Sequence, residues 1–264
     1  ILEGLASLSY VFDIIIIIAL IPAIIGGAKR SLLKTIFRIL VYGGVFLGVY
    51  LNIDTISAYV GDNFLVLIGR QISYTYDETV YTFTSLNEFF TAILELGESD
   101  ASVLEGVVFT LLKNVTWLIA VPVITFVSYI VTTVLWTIVL IFFPRGLRKK
   151  IKAFKLQIIN VPLSIVMTLT ISLLTISPYV NLSQGLSNII IDPESPVAFL
   201  SANYGRILAW FTPEKSFILN FLQGFGITDM FVFFDTFSVG SNNYAFAGEL
   251  ERIINVVGEI TPAS

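Results

Sequence analysis

Long apolar runs separated by short polar stretches dominate the pattern of hydrophobic and polar positions along this chain. The runs cover residues 11–28, 36–53, 107–143 and 156–176. Each is long enough to cross a hydrocarbon core of about 30 Å, which takes about 20 apolar residues in a helix. The third run would form a helix roughly 55 Å long. Its membrane span is therefore predicted at 117–143, with the leading turns projecting from the bilayer.

These runs divide the chain into four parts. A transmembrane hairpin is predicted at 11–53, an amphipathic insert at 54–105, a second transmembrane hairpin at 106–178 with a basic loop at 144–155, and a helical tail at 179–264. The fourth span is expected to end near Pro178, because proline cannot donate the backbone hydrogen bond that continues a helix. The pattern thus predicts about four transmembrane helices.

The segments between and after the spans have amphipathic stretches, at 56–68, 80–96 and 244–257. Ser195-Pro196 and Thr212-Pro213 have the form of helix starts, since proline is favoured at the first helical position. Each segment alone has too little apolar area to fold securely. We expect the insert and the tail to pack together into a mostly helical, acidic cap outside the membrane.

Composition supports membrane insertion. The chain is 56% hydrophobic and 13% charged, with a mean hydropathy of +0.88, and a soluble domain of this length needs a more polar surface. No acidic residue occurs from 14 to 53 or from 106 to 191, the windows that hold the apolar runs. The predicted fold class is therefore an all-α integral membrane protein with an acidic extramembrane cap.

The basic residues predict the orientation. Of 15 Lys and Arg residues, four lie at 29–38 and six at 145–155. Positively charged loops stay on the cytoplasmic side of bacterial membranes. Both loops are therefore predicted inside, with the insert, the tail and both termini extracytoplasmic. The bilayer is the first expected partner.

Residue types that are missing exclude several kinds of chemistry. The chain has no cysteine and no histidine, which removes disulfides, Cys or His metal sites, and histidine-dependent hydrolysis. Intramembrane aspartyl catalysis needs two neighbouring carboxylates, and only Asp13 approaches the membrane interior. The net charge of −4 argues against nucleic acid as a partner. No enzyme activity, cofactor or metal is predicted.

Two ionisable residues are candidates for function. Asp13 near the start of the first span is either a cation or proton relay or, as the sequence favours, a wet or helix-capping carboxylate. Lys113 is either the base of a Ser-Lys dyad or, again favoured, a cation that anchors its helix at the interface. No serine at a recognisable spacing marks a nucleophile for Lys113.

Small and hydroxylated residues form stripes on the predicted spans. Ser164, Thr168 and Ser172 share one face of the fourth span, and Gly44 and Gly48 form a GxxxG pair in the second. Close helix packing is the favoured interpretation, because small residues let helix backbones approach. The alternative is a narrow polar path between the third and fourth spans.

The second basic loop has a further possible role beside topology. Its clustered cations include Arg145, Arg148, Lys149 and Lys150. Such clusters beside a span attract anionic lipid headgroups, and they can equally dock a cytoplasmic protein.

Two stretches of the chain resemble the colicin V production (CvpA) family. The first is Asp13 and its isoleucine run, followed by Gly26-Gly27-Ala28-Lys29-Arg30 and the span with Gly44 and Gly48; the second runs from Ile158 to Ser183. The resemblance implies a bacterial plasma membrane protein linked to peptide-toxin export and envelope integrity. It implies no catalytic residues.

Two functions follow as hypotheses. The leading one is a non-enzymatic membrane scaffold or accessory factor whose cap engages an envelope partner. The alternative is a channel or transporter subunit for ions or small solutes, which with four spans would have to act as a homo-oligomer. A membrane hydrolase using Lys113 is a distant third.

Overall fold

The structure is a computed structural model of the chain. The structure describes residues 11–76, 79–95, 100–154, 156–186, 216–227 and 233–259. The helix starts predicted at Ser195 and Thr212 lie outside the described residues.

Four helices in the described part of the chain are long and apolar enough to cross a membrane. They are α1 (Val11–Lys29), α2 (Leu32–Leu51), α5 (Ala101–Phe142) and α7 (Gln157–Leu186). Large apolar side chains such as Ile18 and Leu40 are about two-thirds exposed, at 63% and 68%. Water would penalise such surfaces and lipid does not. The architecture is that of a predominantly helical, membrane-embedded protein.

Helix α5 is far longer than a membrane span. Its 42 residues reach roughly 63 Å at about 1.5 Å per residue, and Pro122 lies inside it without ending it. Asp100 caps its start by accepting hydrogen bonds from Ser102 Oγ (2.7 Å) and from the Ser102 backbone N–H (3.0 Å). Those bonds lower the pKa of Asp100 below its usual value.

Helix α7 also passes through prolines. Pro162 and Pro178 both lie inside it, and the helix continues to Leu186 instead of ending near Pro178. Proline is tolerated in membrane helices where neighbouring helices re-satisfy the backbone, and α1 packs along α7 while α2 packs along α5. A short basic helix, α6 (Arg145–Ala153), joins α5 to α7.

The remaining elements combine helices with two β-hairpins. They are α3 (Ile53–Leu67), β1 (Ile72–Tyr76), β2 (Thr79–Phe83), α4 (Leu86–Glu95), α8 (Phe217–Gln223), β3 (Thr236–Val239), β4 (Asn242–Ala245) and α9 (Phe246–Glu259). Both hairpins are antiparallel, with Tyr76 opposite Thr79 and Val239 opposite Asn242. The amphipathic stretch predicted from 80 therefore begins as a strand, and the final helix starts after Ala245 instead of at 244.

Two segments far apart in sequence share one hydrophobic core on the first turns of α5. The core joins α3, α4, α5 and α9 through Leu65, Leu86, Phe89, Leu104, Val107, Leu111, Phe246, Leu250 and Ile253. Phe237 of β3 packs against this core, close to the backbone of α5 at Gly106. We call this unit, formed by α3, β1, β2, α4, β3, β4, α9 and the first turns of α5, the hairpin-bearing body.

Candidate functional site

The two basic loops meet at one end of the helix bundle. Ser31 Oγ donates a hydrogen bond to the Ile151 carbonyl at 2.7 Å, and the Leu32 N–H donates to the Phe154 carbonyl at 3.1 Å. Arg148 ends helix α5 by donating to the carbonyls of Ile141 and Phe143, both at 2.7 Å. We call this end the basic end.

The other three cations singled out in the second basic loop face solvent. Arg145, Lys149 and Lys150 are exposed, and within the described residues they form no ion pair. Arg148 therefore has a structural role as a cap for the carbonyls at a helix end, while the other three leave their charges available to a headgroup or a partner.

Asp13 is buried, and it caps a helix that lies more than 200 residues away in sequence. Its carboxylate accepts hydrogen bonds from Ser216 Oγ (2.6 Å), the Phe217 N–H (3.0 Å) and the Ile218 N–H (2.9 Å). Ser216 Oγ in turn accepts from the Leu219 N–H at 3.1 Å. The side chain is 6% exposed, so it is not wet, and its hydrogen bonds within the described residues go to the start of α8. Asp13 ties α8 to the first span.

A pair of buried amides ties a second part of the tail to the bundle. Asn181 Nδ2 on α7 donates to Asn114 Oδ1 on α5 at 3.0 Å, and also to the Phe233 carbonyl at 2.6 Å. Asn114 Nδ2 donates to the Phe234 carbonyl at 3.1 Å. Ser177 Oγ accepts from the Phe233 N–H at 3.2 Å. We call these contacts, together with the Asp13 cap, the tail latches.

Lys113 forms an ion pair beside these amides. Its Nζ lies 2.7 Å from Asp54 Oδ1 in the first turn of α3, and it sits over the Phe109 ring at 4.4 Å. The lysine side chain is 21% exposed. These contacts join α5 to α3. None of the hydrogen bonds of the described residues connects Lys113 to a serine hydroxyl, as a Ser-Lys dyad requires.

Ser164 lies in a very close contact between α1 and α7. A Cβ built on Gly27 would stand 2.9 Å from Ser164 Oγ and 3.0 Å from the Asn160 carbonyl oxygen. Asn160 Nδ2 donates to the Gly27 carbonyl at 2.5 Å and to the Arg30 carbonyl at 3.0 Å. The structure thus places Ser164 against the first span.

The other predicted stripe residues are less constrained. Thr168 Oγ1 donates to the Ser164 carbonyl one turn back, at 2.9 Å, which satisfies it within its own helix. Ser172 is half-buried. A Cβ on Gly44 or Gly48 would meet nothing within 4 Å. Within the described part of the chain, this GxxxG face is therefore open, and no described element packs closely on it.

The arrangement of the described polar residues holds separate segments of the chain together. The described residues contain no group of three or more carboxylates that could hold a metal ion. Three of the most buried polar side chains, Asn114, Asn160 and Ser216, bind backbone or side-chain groups of other elements. Sequence reasoning did not select these three. Their signal was an amide or hydroxyl within an otherwise apolar run, where an unpaired polar group is costly.

Comparison with known proteins found no matching protein family, no similar curated protein and no similar solved structure.

Proposed function

We propose that this protein is a non-enzymatic membrane scaffold or accessory factor, of the kind that the colicin V production resemblance implies, and that it serves toxin export or envelope maintenance. The supporting observation is the hairpin-bearing body, which two separate segments form on the first turns of α5. The tail latches fix the adjoining tail to α1, α5 and α7. A platform of this kind presents a fixed surface to a partner.

In this proposal the basic end faces the cytoplasm and the hairpin-bearing body is the extracytoplasmic cap. The positive-inside rule supports this orientation, and the structure joins both basic loops at one end. Asp54 and Lys113 then lie near the outer surface, where the first turns of α5 project from the bilayer. Five exposed carboxylates of this body, those of Asp54, Asp62, Glu88, Asp100 and Glu105, give the cap a negative surface for a basic envelope partner.

Self-association through α2 belongs to the same proposal. Glycine costs about 1 kcal/mol relative to alanine in a helix interior, and Gly44 and Gly48 make no close contact within the described residues. Close helix approach in membranes uses small residues at this spacing. A second copy of the chain is the occupant that the spacing fits.

The alternative function is an oligomeric channel or transporter subunit for ions or small solutes. The observation that favours it is a group of buried hydroxyls without partners on α5, including Ser128 and Thr132. Polar groups that line a membrane interior are typical of conduction pathways.

The test combines cross-linking with a flux assay. A photo-reactive residue would be placed in living cells at Asn243, which is exposed on β4, and at Ile18, which is exposed on α1 away from the GxxxG face of α2, as the control. We expect discrete protein adducts from Asn243 and none from Ile18, with no solute flux in liposomes. If Asn243 gave no adducts and the liposomes showed solute flux, the scaffold proposal would fail and the channel would take its place.

A further inference from the structure

Three phenylalanine side chains form an exposed stripe along α8. Phe217, Phe221 and Phe225 follow one another at intervals of four residues, about one helical turn, and each is more than half exposed. The rings of Phe217 and Phe221 stack with their centroids 6.4 Å apart, and those of Phe221 and Phe225 meet edge to face at 5.2 Å. We call this surface the phenylalanine stripe. Exposed apolar surfaces of this kind mark interaction sites.

The attachment of α8 to the bundle fixes its depth relative to the spans. Its buried side chains, Leu219 and Leu222, share a hydrophobic core with Phe12 and Ile16 of α1. These two residues of α1 lie one and five residues after the helix begins, which is within about 8 Å of that end. Because α1 ends at Lys29, beside the basic end, α8 lies at the opposite end of the bundle and on the first two turns of a span.

The surface of α1 at this depth is suited to lipid. Ile14 and Ile15 are exposed there, in a helix apolar enough to cross a membrane. Water would penalise such side chains, whereas acyl chains do not. A helix attached beside them at the same depth has the acyl chains of that leaflet within reach of its own side chains.

Three sectors of α8 carry side chains of different character. At about 100° per residue, the phenylalanine stripe occupies about 80° of the helix circumference. Leu219 and Leu222 form the sector that packs on the bundle, and the exposed side chains of Asn220 and Gln223 form the third. Gln223 lies about 160° from the centre of the phenylalanine stripe.

This division is typical of a helix that lies in the membrane interface. Such a helix buries its aromatic face at the boundary of headgroups and acyl chains and turns its polar face toward water. A helix standing upright in the hydrocarbon would instead expose the amides of Asn220 and Gln223 to lipid, which is costly for polar groups without partners. The opposed aromatic and polar sectors therefore favour the interfacial orientation.

We propose that α8 is an interfacial helix whose phenylalanine stripe inserts among the acyl chains of the leaflet at the end of the bundle opposite the basic end. A helix of seven residues is too short to be stable alone, and the Asp13 carboxylate holds its start at the required depth. The occupant of the exposed face is lipid. This inference is independent of the proposed function and of the side of the membrane that the basic end faces.

The test measures the depth of a nitroxide spin label on the full chain in phosphatidylcholine liposomes. Because the sequence lacks cysteine, one introduced cysteine carries the label. Oxygen concentrates among acyl chains and a water-soluble nickel chelate stays in the aqueous phase, so the ratio of their collision rates with the label reports the surrounding medium. Ile18→Cys, on the exposed surface of α1, gives the lipid reference, and Ser241→Cys, in the β3–β4 turn, gives the aqueous reference.

The label at Phe221→Cys is expected to collide more often with oxygen than with the nickel chelate, as the label at Ile18→Cys does. Gln223→Cys, two residues later on the same helix, is the matched control, and its ratio of collision rates should be reversed. A ratio at Phe221→Cys equal to that at Ser241→Cys would overturn the proposal, because the phenylalanine stripe would face water. Shielding of Phe221→Cys from both reagents would also overturn it, because protein would then cover the stripe.

Brominated acyl chains provide a second test that uses no soluble reagent. Bromine atoms on the lipid quench a fluorophore only on contact, so quenching reports the acyl chains directly. A bimane fluorophore attached at Phe225→Cys should be quenched in liposomes of brominated phosphatidylcholine, and one at Gln223→Cys should be quenched less. Equal quenching at the two positions would contradict insertion of the phenylalanine stripe, even if Phe221→Cys failed to fold.

Discussion

Asp13→Ala is expected to lower the free energy of unfolding by about 3–5 kcal/mol, the range for removing one partner of a buried charged network. The substitution leaves the Ser216 hydroxyl and the backbone N–H groups of Phe217 and Ile218 without their acceptor. Because the Ser216 hydroxyl is fully buried and the two N–H groups are partly buried, water replaces the carboxylate only incompletely. The first effect should be release of α8 from the bundle.

A thiol-accessibility assay measures this release directly. The chain has no cysteine, so a cysteine introduced at Leu222, which is 8% exposed and shares a hydrophobic core with Phe12 and Ile16 of α1, is the sole reactive thiol. It should react much faster in the Asp13→Ala background. Asp62→Ala, at an exposed carboxylate, is the control and should change stability by less than about 0.5 kcal/mol. If the cysteine at Leu222 reacted equally fast with and without Asp13→Ala, Asp13 would not be holding α8.

Gly27→Ala is expected to destabilise the protein by about 1–3 kcal/mol, as overpacking of a close contact does. The new Cβ would lie 2.9–3.0 Å from Ser164 Oγ, the Asn160 carbonyl oxygen and the Val161 Cα. Two of these atoms belong to the backbone of α7 and move only with the helix. The separation would also weaken the hydrogen bond from Asn160 Nδ2 to the Gly27 carbonyl.

Gly44→Ala is the matched control for this substitution. The same change in the neighbouring span meets nothing within 4 Å, so the gain in helix propensity of up to about 1 kcal/mol should dominate. Reversible unfolding in mixed micelles compares the two variants. A stability loss in Gly44→Ala equal to that of Gly27→Ala would contradict the tight packing assigned to α1 and α7. If α2 binds a second copy of the chain, Gly44→Ala should instead change the fraction of the protein that is dimeric.

The membrane-spanning architecture could be predicted from sequence because its physical signal is local. Each span needs about 20 apolar residues, and the predicted bounds lie within a few residues of α1 and α2. The excess length of α5 was also visible as an apolar run too long for one crossing. The end of α7 was not visible in the sequence. Pro178 lacks a backbone donor and so predicts a helix end, but neighbouring helices compensate for the lost hydrogen bond and the helix continues.

The hairpins were missed although their residues carried a signal. Ile72–Tyr76 and Thr79–Phe83 are rich in β-branched and aromatic residues, the composition that favours strands. The amphipathic pattern and the nearby acidic residues are equally compatible with a helix. Periodicity does not distinguish a helix from a strand in such short apolar runs.

The partners within the candidate site could not be predicted, because they are distant in sequence. Asp13 was a visible anomaly in an apolar run, but Ser216 and Phe217, which it binds, are more than 200 residues away. Asn114 and Asn181 likewise meet across 67 residues. A single sequence identifies that a buried polar group needs a partner, and only the packing of α5 against α7 identifies which one.

The most direct test of the central claim asks whether the basic end and the hairpin-bearing body lie on opposite sides of the membrane. Single cysteines would replace Lys150, exposed on α6, and Ser241, exposed at the β3–β4 turn, and intact cells would be treated with a membrane-impermeant thiol reagent. The account predicts labelling of Ser241→Cys on intact cells and of Lys150→Cys only after permeabilisation. Labelling of Lys150→Cys alone on intact cells, or equal labelling of both, would contradict it.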